Sequence, residues 1–459
     1  IDNSGGVNCS DKEVNIKILL NTIVAAGDLT PKQRNELLGE MTEEVSKLVL
    51  RDNFLQTRAI SLSASQALRS LELQSRYINE LERTGKIDRN LEFLPDDKLL
   101  MDRKLQGQGL GRPAIAVLMC YSKTILKEQI LASDVPEESF MEQILINSFP
   151  KPLQERFSKQ MQDHPLRREI IATRLSNIIN NEMGFTYIYR LQDETGAPVS
   201  AIVRAYMITR NVLHLESIWK QIEDLGSKIS AHKQTELMMT YVRLSRRITR
   251  WFLRSQRRNL DITQTVRLYS KGIAELKKEM PSVFGEKNRM HYEGQYQELI
   301  NSNIPPTLAH ELAVTQGLFA APDIIELACA RDVKIVKVAE IYFGIEEYLD
   351  IAWIRSKIIV HPTENNWESL SREALRDDLD WQQRQLTSGI MEYDSSNNNL
   401  HERMEAWGVV HHMLIDRWRY ILNDLRSSSV LTFTMFFVAI RELLDLTQTS
   451  LELTEEASS

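Results

Sequence analysis

The first chemically suggestive residues stand together at the amino end, in the stretch NSGGVNCS at positions 3–10. The paired glycines Gly5 and Gly6 let a backbone approach a ligand closely or take a positive φ that a side chain would resist. A helix is expected from about Asp11, and the unpaired backbone N–H groups at its start, near Ser10, would favour a carboxylate or a phosphate. The pattern fits two structures equally well: a loop that contacts an anion, and a plain connection from a strand to a helix.

A second glycine-rich stretch, GQGLG at positions 107–111, has the beginning of a dinucleotide-binding loop. Its next position is Arg112, and the preceding LLMDRKLQ lacks the character of the buried strand that aims such a loop. We therefore favour a turn that starts a helix at Pro113 over a cofactor role.

Arginines crowd the stretch VRLSRRITRWFLRSQRR at positions 242–258. A helix there could meet phosphates, but in a net acidic chain an ion-paired or solvated face is the simpler explanation. The same acidic balance argues against nucleic acid as a partner, and the acidic RDDLD at 376–380 is interpreted as a helix surface. The arginines are Arg243, Arg246, Arg247, Arg250, Arg254, Arg257 and Arg258, around an inner stripe of Leu244, Ile248, Trp251 and Phe252.

Histidine and cysteine spacing does not indicate a metal site. His411 and His412 are adjacent, so on a helix their side chains diverge by about 100°. In HERME, Glu405 stands where the zinc-binding HExxH helix needs its second histidine. Three widely spaced cysteines, Cys9, Cys120 and Cys329, suggest neither a disulfide framework nor zinc. A reducing cytoplasm is the expected location.

Composition predicts a soluble protein made of long helices. The 459 residues carry a net charge of −7, with 42% hydrophobic and 26% charged residues, and only 18 Gly and 13 Pro supply turns. The most apolar run, LTFTMFFVAI at 431–440, is too short to span a bilayer, which takes about 20 apolar residues. We expect it to pack in a core, and we expect no membrane partner.

Apolar residues recur at three- and four-residue steps, which predicts a predominantly all-α fold. HPLRREIIATRLSNIINNEMG marks one helix, with Pro165 in its first turn and Gly184 as its stop. VKIVKV at 333–338 is also assigned to a helix. Phe185 to Leu191 is the best strand candidate, which leaves room for one small hairpin near 185–203. Buried packing explains the tryptophans, which are Trp353, Trp367, Trp381, Trp407 and Trp418.

NSGGVNCSDKE is similar to the segment NAGGV-x-x-S-x-x-E of the glutamate dehydrogenases. With the following VNIKILLN it resembles the large NAD-specific glutamate dehydrogenases of bacteria. EFLPDDKLLMDRKLQGQGLGRPAIAVLMCYSK, HPLRREIIATRLSNIINNEMGFTYIYRL and RRITRWFLR extend the resemblance over essentially the whole chain. The matching positions at the amino end are Asn3, Gly5, Gly6, Val7, Ser10 and Glu13.

The resemblance implies a domain order and a set of site residues. Residues 1–60 would be the terminal loop and helices of an α/β catalytic domain. Residues 61–459 would form a helical C-terminal region. This region could consist of two subdomains that divide near 260–305. Ser10 would contact the distal carboxylate of the substrate, and Asn3, Gly5 and Gly6 would lie at the NAD site. Ser4, Asn8 and Cys9 carry no role over.

The resemblance also implies a function for the parent enzyme. That enzyme would convert L-glutamate, NAD and water to 2-oxoglutarate, ammonium and NADH. Its Rossmann domain, catalytic lysine and acidic residue are expected before Ile1, so no catalytic residue is assigned in this chain, and the chain alone is predicted to be inactive. The expected partners are the remainder of its own catalytic domain and further copies of the protein. The alternative is a helical oligomerisation or regulatory module without chemistry of its own.

Overall fold

The computed structural model describes the backbone of residues 2–255, 260–363, 365–393 and 399–458, and the side chains of these ranges between residues 6 and 452. Arg257 and Arg258 lie outside the described residues. All regular secondary structure in these ranges is helical, and no strand occurs there. The prediction of a predominantly all-α fold is confirmed.

The chain forms two compact units, residues 1–209 with 252–263 and residues 210–251 with 264–459. Short 3₁₀ turns occupy Val135–Glu137, Ser139–Met141 and Gly226–Lys228. The α-helices are α1 Asp2–Ala25, α2 Pro31–Ser65, α3 Leu71–Arg83, α4 Asp97–Leu105, α5 Arg112–Leu131, α6 Glu142–Ile146, α7 Lys151–Gln162, α8 Arg167–Met183, α9 Tyr187–Thr195, α10 Val199–Val212, α11 Leu215–Asp224, α12 Ala231–Ser255, α13 Ile262–Val283, α14 Glu286–Asn301, α15 Pro306–Ala313, α16 Thr315–Leu318, α17 Ala321–Arg331, α18 Ile335–Tyr348, α19 Ile351–Val360, α20 Asn366–Glu392, α21 Leu400–Val410, α22 His412–Ser427 and α23 Phe433–Ser458.

Helix α8 lies in the core of the first unit, and it occupies most of the stretch for which a helix was predicted. Its apolar stripe, with Ile171, Leu175 and Ile179, is fully buried. The helix ends where Gly184 takes a φ of 87°, a conformation that favours glycine. Pro165 lies in the turn just before α8 instead of in its first turn.

The hairpin considered near 185–203 is wrong, because α9 and α10 occupy that stretch. Tyr187, Ile188 and Leu191 are buried at helical spacing on one face of α9. Strand preference is a weak local tendency, and the packing of these side chains against the core overrides it. A turn follows α9, where Gly196 takes a φ of 67°.

The core of the second unit contains two of the five tryptophans. Trp418 donates from Nε1 to the carbonyl of Leu349 at 2.7 Å, and Trp407 donates to the hydroxyl of Ser450 at 3.0 Å. Both indoles are thus buried with their polar atom satisfied. The packing explanation is wrong for Trp367 and Trp381, which are 78% and 47% exposed.

Helix α23 buries the apolar run near the carboxyl end. Phe436, Ile440 and Leu443 belong to the core of the second unit, whereas Phe437 in the same apolar run is 44% exposed. Among the described residues no single helix is both long and apolar enough to cross a bilayer. One bent pair, residues 306–318 and 321–331 inclined by 71°, meets the same length and composition criteria.

Helices α12 and α20 are joined by ion pairs, which corrects the surface interpretation of RDDLD. Arg247 lies 2.6 Å from a carboxylate oxygen of Asp380, and Arg250 lies 2.7 Å from one of Asp377. Residues three apart on a helix share a face, so Arg247 and Arg250 on α12 face Asp380 and Asp377 on α20 at the same time. The arginine-rich stretch within the second unit is therefore largely an ion-paired face, as preferred from the sequence.

The GQGLG stretch forms the connection between α4 and α5 and packs against the backbone at the end of α2. A Cβ added at Gly109 would lie 2.3 Å from the carbonyl carbon of Ala67 and 2.5 Å from the amide nitrogen of Leu68. No side chain fits there. The close approach explains the central glycine of the motif without a cofactor.

We expect Gly109→Ala to lower the free energy of unfolding by about 1–3 kcal/mol, because the new methyl group must displace backbone atoms. Gly111→Ala is the matched control: its added Cβ would meet only Pro113 Cδ, at 3.7 Å, and should cost less than about 1 kcal/mol. Urea denaturation of the three proteins measures both values. Equal stability of the two variants would contradict the assigned packing.

Candidate functional site

The stretch NSGGVNCS is helical from Asp2 onward, so the predicted loop at 3–10 is wrong. The helix α1 continues because its buried face, starting at Lys12 and repeating through Ile16, Leu19, Leu20 and Ile23, follows a helical period. The backbone N–H groups near Ser10 lie inside the helix, where they bond to preceding carbonyls. They are therefore not the anion donors that the sequence suggested.

Ser10 and Gly6 lie one turn apart on the outer face of α1, and both are exposed. No atom lies within 4 Å of the Cβ position of Gly6. Val7 and Val14 on the same side are 64% and 46% exposed. This outer face, defined by Gly6, Val7, Ser10 and Val14, combines two apolar side chains with one hydroxyl. The side chain of Asn3 and the surroundings of Gly5 lie outside the described residues.

The inner face of α1 is fixed by charge. Lys12 is 5% exposed, and its Nζ lies 3.3 Å from Asp52 on α2. Arg174 on α8 lies 3.1 Å from the other oxygen of Asp52. Asn8, to which the sequence assigned no role, donates to the Asn53 side chain at 3.1 Å. Two cations from two helices thus share one carboxylate from a third.

Burial lowers the pKa values of two lysines in and beside this cluster. Burial lowers the pKa of Lys12, and the nearby Arg174 guanidinium adds to the effect while Asp52 opposes it. Burial also lowers the pKa of Lys123 on α5 to about 8, again against the attraction of Asp52. The cluster holds more positive than negative charge in a poorly solvated place, which is costly unless a partner is close.

The cavity beside the cluster has a volume of about 10 Å³, enough for about one water molecule and too small for an amino acid. Its lining excludes Ser10. The inner face of α1 is thus a packed structural contact, and any substrate contact of this helix must use its outer face. The cavity is lined by Asp11, Lys12, Asn15, Ser148, Phe149, Ile170, Thr173 and Arg174.

His164 holds the middle of α1 against the turn before α8. Its Nδ1 accepts from the backbone N–H of Leu166 at 3.0 Å, so its Nε2 carries the proton and donates to the carbonyl of Asn15 at 3.1 Å. Burial lowers the pKa of this imidazole, which favours the neutral form that the two bonds require. A histidine that sequence reasoning did not assign is therefore a positioning residue for α1.

The described residues contain no group of three or more His, Cys, Asp or Glu side chains suited to a metal ion. His411 is buried, with its Nδ1 2.8 Å from the carbonyl of Trp407, whereas His412 is exposed. The three cysteines are free and exposed.

Sequence reasoning found the outer-face residues Gly6 and Ser10 through the motif but missed the cluster beneath them. One signal was present: Lys12 falls on the apolar stripe that continues through Ile16 and Leu19. A charged residue at a stripe position indicates a buried partner. The identity of that partner, Asp52, follows only from the packing of α1 on α2.

Two family models match the chain. The model described as bacterial NAD-glutamate dehydrogenase, catalytic domain, matches residues 1–63. The model described as glutamate dehydrogenase, C-terminal, matches residues 107–445. A match to a catalytic-domain model is thus followed along the chain by a match to a C-terminal model, which defines the class of protein.

The chain belongs to the glutamate dehydrogenase C-terminal family, whose model covers most of its length. It is 42% identical over 450 residues to the NAD-specific glutamate dehydrogenase of Pseudomonas aeruginosa. The enzymes of the same name from Halomonas elongata and Mycobacterium tuberculosis are 39% and 30% identical. Each alignment covers 98% of this chain and 28% of the relative, so the chain spans less than a third of their length.

These matches confirm the resemblance to large NAD-specific glutamate dehydrogenases. They support the dehydrogenase hypothesis and give no support to the alternative of a helical module without chemistry. The domain bounds at 1–60 and 61–459 stay a prediction. Helix α2 runs unbroken through residue 60.

We expect Lys123→Met to stabilise the chain at pH 7 by at most about 3 kcal/mol, because the folded parent must keep a charge in a partly buried place. The folded-state pKa of about 8 lies below the ordinary 10.5, so between these values the unfolded chain binds more protons and parent stability rises with pH. The advantage of the variant should therefore shrink from about pH 8 to 10.5.

Urea denaturation across that pH range measures the difference. Lys127→Met, one turn further along α5, is the control for loss of a lysine from this helix. A stability difference for Lys123→Met that does not change with pH would contradict a depressed lysine pKa.

Proposed function

We propose that this chain is the C-terminal part of an NAD-dependent glutamate dehydrogenase, which converts L-glutamate, NAD and water to 2-oxoglutarate, ammonium and NADH. The observation that carries the proposal is the 42% identity to a named NAD-specific glutamate dehydrogenase over 98% of this chain. The match of residues 1–63 to a catalytic-domain model supports a direct contribution of α1 to the site.

Within the proposed enzyme, Ser10 binds the distal carboxylate of glutamate through its hydroxyl. The exposed position of Ser10 supports this role, since its side chain is available to a ligand or to a further segment of protein. Val7 and Val14 flank it on the same face and would surround the methylene groups of the substrate or pack on the remainder of the catalytic domain.

NAD, when bound, supplies the hydride acceptor for the oxidation. Gly6 fits a place beside the cofactor because its exposed Cα leaves open space in which a ligand can approach the backbone. Asn3 and Gly5 are assigned to the same site by the family motif. The residues of this chain bind and orient, and the groups that move protons belong to the remainder of the catalytic domain.

The buried charges under α1 support a binding and orienting role for this helix. Lys12, Asp52 and Arg174 fix the inner face of α1, and His164 fixes its middle, so the outer face is held in one orientation. A hydroxyl positioned by a packed helix loses little freedom when it binds a ligand. A homo-oligomeric assembly and a cytoplasmic location remain predictions for the whole enzyme.

We expect the purified chain of 459 residues to reduce no NAD in the presence of L-glutamate, because the hydride-acceptor domain and the proton-moving groups are assigned to other parts of the enzyme. The measurement is NADH absorbance over time, with a full-length relative assayed in parallel. Glutamate-dependent NADH formation by the chain alone would contradict the proposed division.

Ser10→Ala in the full-length protein should raise the KM for glutamate roughly tenfold or more and leave kcat nearly unchanged. One hydrogen bond to a charged carboxylate is worth about 1.5–3 kcal/mol, and it acts on bound substrate and transition state alike. Steady-state kinetics measures both constants.

Thr22→Ala is the matched control, since Thr22 is an exposed hydroxyl on the same helix that bonds to the carbonyl of Ile18. Its KM should equal that of the parent enzyme. An unchanged KM in Ser10→Ala would remove this residue from the substrate site.

A further inference from the structure

A cavity in the second unit is lined by more cations than anions. It is a groove of about 440 Å³ between α12, α14 and the short helices that follow, a size typical of sites for small molecules. Its charged lining consists of Lys233, Arg243, Arg246, Arg247, Arg376, Glu236 and Glu298. The excess of positive charge in a concave site favours an anion.

The charges are separated along the groove. At one end Lys233 lies 3.2 Å from Glu236 and 3.1 Å from Glu298, so its charge is matched locally. The arginines lie at the other end, on successive turns of α12 and on α20. The positive potential is therefore concentrated at one end of the groove.

A single buried carboxylate serves several of these arginines. Glu373 is 4% exposed and lies 2.9 Å from Arg376, 3.7 Å from Arg246 and 3.9 Å from Arg372. Three guanidinium groups therefore lie within 4 Å of one carboxylate at this end of the groove. Among the side chains that line the groove, the two carboxylates, Glu236 and Glu298, both lie beside Lys233, and the lining charges near Glu373 are arginines.

Arg247 is held in a fixed orientation at the same end. It pairs with Asp380 at 2.6 Å, and its guanidinium carbon lies 3.5 Å from the centre of the Phe319 ring. Burial lowers the pKa of Arg247 to about 10, and the neighbouring Arg376 and Arg355 add to this effect. A guanidinium fixed in this way is prearranged to accept an oxyanion with little loss of entropy.

The uncharged lining combines polar residues with apolar side chains that suit a carbon skeleton. It includes Leu237, Leu244, Leu299, Leu312 and Ile359. A ligand with charged groups at one end and methylene groups along its length would match both parts of the groove.

We propose that this groove binds a small organic oxyanion with at least two carboxylate or phosphate groups, which contact Arg243, Arg246 and Arg376. The site lies apart from the outer face of α1 in sequence and belongs to the other unit. It involves no residue of the proposed glutamate or NAD site.

Isothermal titration calorimetry of the chain with pyrophosphate and, separately, with succinate tests the proposal. We expect saturable one-to-one binding of at least one of the two at low ionic strength, weakened when salt is raised to about 1 M. Binding of pyrophosphate alone assigns phosphate groups, and binding of succinate alone assigns carboxylates. No saturable binding of either at millimolar concentration would overturn the proposal.

Variants locate the bound anion. The exposed Arg243→Gln, alone and combined with Arg246→Gln, should weaken binding, the pair by about tenfold or more. Arg441→Gln, a 69% exposed arginine on α23 outside the groove, is the control and should bind as the parent does. Circular dichroism checks that each variant is folded. Undiminished binding in the folded Arg243→Gln and double variants, or an equal loss in Arg441→Gln, would place the anion elsewhere.

Discussion

A buried or partly buried carboxylate shared between several cations is the interaction on which the packing of both units depends. In the first unit Asp52 receives Lys12 and Arg174, and in the second unit Asp380 and Glu373 each receive more than one arginine. Taking ions out of water costs several kcal/mol for each, so an anion beside a buried cation offsets much of that cost. The helices that carry these charges are therefore fixed in place by the need to keep them together.

These pairs define the register of helices as well as their contact. Arg247 meets Asp380 and Arg250 meets Asp377, so the residue numbers rise along α12 as they fall along α20. The two helices thus run antiparallel where they touch. Apolar side chains alone would tolerate a shift along the axis, whereas a shift of one residue would separate both pairs at once.

Helix α1 divides structural and functional roles between its two faces. The inner face holds the buried charge and the leucines, and the outer face carries Ser10 between two exposed valines. Because the inner face is anchored to α2 and α8, the outer face is presented in one orientation. The same arrangement explains why the cavity next to Lys12 is too small for a substrate, since that side of the helix serves packing alone.

The sequence alone determined the helical character of the chain, the end of α8 at Gly184 and the likeness to glutamate dehydrogenases. A period of 3.6 residues and a motif of glycines and a serine are local patterns, readable without knowing their partners. Only the tertiary structure decided that residues 3–10 continue α1, that RDDLD faces the arginines of α12, and that Gly109 lies against Ala67. Each of these depends on residues far away in sequence, because burial and charge pairing act through space and outweigh local preference.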